Sequence, residues 1–75
     1  MRVVLLREAR ERAGLSRETL AHMSGISTRC IYDIEHANRV PRRSTRIVLT
    51  TVLRHENGEH VRIDWPATPA LEAAA

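Results

Sequence analysis

The chain has 75 residues, a formal net charge of +3 and 43% hydrophobic residues, with Trp65 and Tyr32 as its aromatics and no Phe. That length leaves room for one core, and that hydrophobic fraction excludes a disordered chain. The core must be built from aliphatic side chains, and at this size a bound partner commonly adds stability.

All twelve basic side chains are Arg, and they are unevenly placed. Residues 1–55 carry eleven of them against Glu8, Glu11, Glu18, Asp33 and Glu35, a net of +6. Residues 56–75 carry Arg62 against Glu56, Glu59, Asp64 and Glu72, a net of −3. A basic body suits a polyanion partner such as nucleic acid. Cys30 is the single cysteine, so no internal disulfide can form and a reducing compartment is expected. The apolar run Val3-Val4-Leu5-Leu6 is too short for a signal peptide or a membrane span, which predicts a soluble, cytoplasmic (nucleoid-associated) chain.

The first segment, residues 2–13, sets Val3, Leu6, Ala9 and Ala13 on one helical stripe, with Arg7, Glu8, Glu11 and Arg12 largely off it. Gly14 supplies a left-handed stop, and Ser16 offers an N-cap for a second helix over residues 17–24. Gly25 ends that helix, Ile26 fills the bend, and Ser27 caps a third helix running to His36. Two short capped helices joined by a tight glycine turn form a helix-turn-helix unit. A loop from Ala37 to Pro41 follows. A fourth helix is predicted over residues 42–54, with Ile47, Leu49, Val52 and Leu53 as its core contributors. Asn57-Gly58 is a turn signal, and the alternation of Val61, Ile63 and Trp65 with Arg62 and Asp64 predicts a short strand ended by Pro66. The expected organisation is a DNA-binding domain over 1–55, a turn and strand over 56–66 and a flexible tail over 67–75.

At 100° per residue, Ser27, Cys30, Ile31 and Ile34 share the core side of the third helix, while Thr28, Arg29, Tyr32, Asp33 and His36 share the other. The second set can address base edges or phosphates in a major groove, Arg29 being the natural bidentate partner of a guanine. Asp33, four residues after Arg29, can accept from a cytosine or orient the guanidinium, and we favour orientation because a bare carboxylate near phosphates is repulsive. The helix N-termini at Ser16 and Ser27, and the loop residues Asn38, Arg39, Arg42 and Arg43, are the candidate phosphate contacts, with Arg46 beside them.

The run from Leu5 to Ala21, with Gly14-Leu15-Ser16 and Leu20-Ala21, then Ser24-Gly25-Ile26-Ser27, Ile31, Ile34-Glu35 and Pro41, resembles the Cro and phage-repressor class of helix-turn-helix proteins, the XRE family. The resemblance covers about residues 3–53. It implies an all-α, lambda-repressor-like domain of four to five short helices, to which the residues add the short C-terminal strand. It also implies that the third helix enters the major groove of double-stranded DNA. On that resemblance Thr28, Arg29 and Asp33 fall on base-reading positions, and Arg17 on a phosphate-contacting one. Arg10 and Glu35 match a structural pair that fixes the recognition helix to the scaffold. Where the family has Gly after that Glu, this chain has His36-Ala37-Asn38, and Asn38 is expected to take the left-handed position. Arg43 and Arg46 stand where the family is often apolar, which implies either a phosphate clamp or a shifted helix register. The segment from Asn57 on does not resemble the family's fifth helix.

No carboxylate pair, Ser-His-Asp set or Gly-rich phosphate loop is present, so no enzyme, cofactor or metal is expected; His55 and His60 are the nearest thing to a ligand pair. The leading expectation is a Cro-like repressor acting as a homodimer through Val61, Ile63 and Trp65, the competing one being that this segment caps its own core. Two other functions compete: an antitoxin-like or scaffold module holding a protein partner through its C-terminal segment, and an architectural factor with little sequence preference.

Overall fold

The computed structural model describes residues 2–58 and 61–67. His60 and the tail from residue 68 lie outside the described residues. In chain order the elements are β1 (Arg2–Leu5), α1 (Leu6–Arg12), α2 (Arg17–Ser24), α3 (Thr28–Glu35), α4 (Arg43–Asn57) and β2 (Val61–Asp64). The fold is a four-helix domain with one short strand pair.

Local chemistry sets most boundaries. Ser16 Oγ accepts from the Thr19 N–H at 3.0 Å and Ser27 Oγ from the Cys30 N–H at 3.1 Å, so each helix of the central pair starts on a serine cap. Gly25 closes α2 at φ 75°, a left-handed conformation that costs an L side chain about 1–2 kcal/mol. Ile26 then lies packed against the core at the bend.

The opening residues depart from the expected helix over 2–13. Arg2–Leu5 form a strand paired in parallel with Val61–Asp64, with Val4 opposite Ile63. Val4 and Ile63 face the core, while Val3 and Leu5 are both 61% exposed. The helical stripe was misleading because a four-residue strand and one helical turn place apolar residues at similar spacings. What decides between them is a partner strand nearly sixty residues away in the chain.

The core comprises Val4, Leu6, Ala9, Leu20, Ile31, Ile34, Leu49, Leu53 and Ile63, with Cys30, Val52 and Trp65 packed at its edge. Each large aliphatic buried in this way contributes about 1.5–3 kcal/mol. Ile47 is not among them: expected in the core, it is 55% exposed. Leu49 and Leu53 define the inward face of α4, and Ile47 lies about 200° around the helix from Leu49. The register of α4 therefore turns Arg43 and Arg46 outward. Asn57 Nδ2 donates to Leu53 O at 2.9 Å and Ala9 O at 3.3 Å, tying the end of α4 to α1.

The exit from α3 also differs from expectation. Ala37, not Asn38, takes the left-handed conformation, at φ 58°. Its N–H bonds Ile34 O at 3.1 Å, and the Asn38 N–H reaches back to Asp33 O at 2.8 Å, the pair of bonds that closes a Schellman motif. The motif puts the left-handed residue immediately after the C-cap, His36, which is position 37. Ala37→Gly removes the Cβ penalty there, so we expect a gain of about 1 kcal/mol and a rise in Tm of about 4–8 °C. Thermal unfolding followed by circular dichroism checks it; an unchanged or lower Tm contradicts the strain.

Candidate nucleic-acid interface

α3 carries two faces because its apolar residues recur at three- and four-residue spacing. Ile31 and Ile34 are sealed into the core, and Arg29, Tyr32 and His36 are exposed. Arg17, Thr28, Arg29, Tyr32 and Asn38, with Glu18, line one open cleft of about 630 Å³. The fold thus gathers five of the expected DNA-contacting side chains from α2, α3 and the following loop onto one surface.

Asp33 sits at the edge of that surface, less open than its neighbours. Its side chain is 12% exposed, held by Arg29 Nε at 3.2 and 3.3 Å and by Arg39 Nη2 at 3.5 Å. Tucked beneath two guanidiniums, the carboxylate restrains both. Arg29 itself is 81% exposed; with Nε on Asp33, its two terminal nitrogens remain for the bidentate contact a guanine offers. With the guanidinium this exposed, an (i, i+4) pair contributes only about 0.3–0.5 kcal/mol, so it orients the side chain without locking it.

Behind this face lies a stronger anchor. The Glu35 side chain is fully buried, with Arg10 Nε at 2.6 Å on one side and Arg17 Nε at 2.9 Å on the other. Arg10 also donates to Leu15 O at 2.9 Å. A carboxylate in the last turn of a helix faces the negative end of the helix dipole, and the two guanidiniums offset that unfavourable placement. They join α3 to both preceding helices. Arg17, expected at a phosphate, spends one nitrogen on Glu35, and its guanidinium carbon lies 5.2 Å from the centroid of the Tyr32 ring. Its side chain is still 32% exposed, leaving the terminal nitrogens able to face a phosphate. On Tyr32 stacks His36, with ring centroids 3.9 Å apart and planes at 23°. This Arg17-Tyr32-His36 arrangement had no signal in the sequence beyond the face that Tyr32 and His36 share on α3.

The remaining phosphate candidates fall elsewhere. The Ser16 and Ser27 hydroxyls are occupied as caps, and helical geometry leaves the first N–H groups beyond each of them without intrahelical acceptors. Arg39 and Arg42 line a second cleft of about 270 Å³ with Cys30, Val40, Pro41 and Thr45. Arg43 lines a third, on α4. Ile63, 6% exposed, lies within the chain's own core, and Trp65 packs against it.

The family model for a helix-turn-helix domain matches residues 3–54, which span α1 to α3 and most of α4. The chain belongs to the helix-turn-helix domain family. No match was found among curated proteins or among solved structures. Within this helix-turn-helix protein, α2 and α3 are the two helices of the motif, Gly25 and Ile26 its turn, and α3 its recognition helix. The family identifies a DNA-binding domain, and no helix among the described residues is long and apolar enough to cross a membrane.

Proposed function

We propose that the chain is a sequence-specific transcriptional regulator, a Cro-like repressor that sets α3 into the major groove and covers a promoter. The observation that carries this reading is the exposed Arg29, oriented by Asp33 on a helix that Glu35 anchors to the scaffold. Thr28 and Tyr32 flank it as further base contacts, and Asp33 acts through Arg29. Arg17, Asn38, Arg39, Arg42 and Arg43, with the helix N-termini at Ser16 and Ser27, hold the phosphates. Selection of bound duplexes from a random pool tests the proposal: enrichment of one motif supports it, and recovery of unselected sequence contradicts it.

Binding on this reading is strongly salt-dependent. Arg39→Ala and Arg42→Ala each weaken all duplexes alike and flatten the logarithmic salt dependence by about one unit. Titrations at several salt concentrations measure both effects, and an affinity indifferent to salt removes the phosphate assignment.

The same reading calls for a homodimer, since one recognition helix spans few base pairs and two half-sites one turn apart multiply affinity. With Ile63 and Trp65 packed against their own core, the interface rests on the edge of the strand carrying Val61 rather than on an apolar side-chain face. Antiparallel pairing of two β2 strands about Ile63 sets Arg62 of one copy opposite Asp64 of the other, twice by symmetry. Arg62→Asp alone and Asp64→Arg alone are expected to weaken the dimer several-fold, and the double exchange to restore it. Sedimentation at matched concentrations reads this; a chain monomeric even on its selected duplex, or singles without effect, overturns the interface.

A further inference from the structure

The outward face of α4 carries residues that, Arg43 apart, the DNA reading leaves unused. Arg43, Arg46, Ile47, Thr50, Thr51 and Arg54 line, with Trp65, an open cleft of about 420 Å³. None of these residues lines the recognition-helix cleft. Among the described residues no carboxylate pairs with Arg43, Arg46 or Arg54, whereas Arg7, Arg10, Arg17 and Arg29 each have one. Its apolar lining is Ile47, 55% exposed, and the half-buried Trp65.

We propose that this cleft docks an acidic segment of a partner protein that carries an apolar anchor residue. The charge pattern selects the acid: three guanidiniums spaced along one helix face offer favourable pairs to carboxylates and oppose another cationic surface. The same pattern disfavours a second copy, because a two-fold axis through this face would bring the arginines of both copies together. The apolar lining selects a peptide over duplex DNA. A phosphate backbone has nothing to place against Ile47 and Trp65, whereas a leucine or aromatic side chain buries both. Thr50 and Thr51, small side chains between the arginines, leave room for such an anchor. The inference does not depend on the repressor reading, since the recognition helix contributes nothing to this cleft.

Trp65 is the chain's sole tryptophan, so its emission reports on the cleft directly. The full chain is titrated with a synthetic peptide of about twelve residues, Glu-rich with Leu at helical three- and four-residue spacing, and with the same peptide carrying Ser for Leu. The expected result is a saturable change in Trp65 emission with the Leu peptide, and at least about tenfold weaker binding of the Ser peptide. Arg54→Glu and Ile47→Ser are each expected to weaken the Leu peptide by a similar factor, with helicity by circular dichroism unchanged. Both substitutions are at exposed positions outside the proposed DNA contacts, so affinity for the selected duplex should stay within about twofold in Ile47→Ser. Equal binding of the two peptides reduces the face to unspecific charge and overturns the proposal. So does the lack of a saturable response. A Trp65 response to duplex DNA that depends on both Ile47 and Arg54 assigns the face to nucleic acid instead and equally overturns it.

Discussion

Glu35→Ala is expected to destabilise the domain by about 3–5 kcal/mol, because it leaves the Arg10 guanidinium buried without a counter-charge. Arg10 is 9% exposed at its side chain and spends its Nε on Glu35 at 2.6 Å. Water cannot replace the carboxylate without opening the junction of α1 and α3. Arg17 loses its anchor as well, but at 32% exposure it is largely rescued by solvent, so most of the cost falls on Arg10. Domains of this size are stable by only about 0.05–0.15 kcal/mol per residue, so the variant should be partly unfolded at ordinary temperatures. Urea unfolding at neutral pH measures the loss. A double replacement, Arg10→Met with Glu35→Leu, separates charge from packing: removing both partners should cost far less than removing one. If Glu35→Ala costs under about 1 kcal/mol, the buried ion pair does not hold the recognition helix.

Arg29→Ala should weaken binding to the selected duplex by about 1–3 kcal/mol, roughly fivefold to more than a hundredfold, and relax choice at one base pair. The exposed guanidinium is the long donor on α3 with two free terminal nitrogens. Arg29→Lys keeps the charge but loses the fork, so it should retain salt-dependent binding while losing discrimination. Asp33→Ala acts through Arg29 and Arg39: a smaller loss, blurred at the same base pair, is the expected outcome. Repeating the selection with each variant reads the specificity directly. An unchanged motif with Arg29→Ala assigns base reading to other side chains.

The central motif was legible because its signals are local. Ser16, Gly25 and Ser27 act on backbone groups within three or four residues, and Ile31 with Ile34 mark the buried side of α3 by spacing alone. Arg10 and Glu35 lie twenty-five residues apart, and it was their likeness to a family pattern that pointed to them, not any periodicity. Ala37 escaped notice because Asn tolerates the left-handed region better than Ala. The Schellman geometry chooses the position by its hydrogen bonds, and intrinsic preference yields to it.

By itself, then, the sequence determined the capped helix pair, the basic body and the split of α3 into a core side and a polar side. These follow from side chains acting on their own helix and turn. Only the tertiary structure decided that Arg2–Leu5 is a strand, that Ile63 faces its own core, that Ile47 is exposed and that Asp33 turns inward beneath two arginines. Each of these depends on a neighbour distant in the chain or on which of two helix faces meets the core. Such choices are settled by the summed burial of the whole domain, which no local pattern contains.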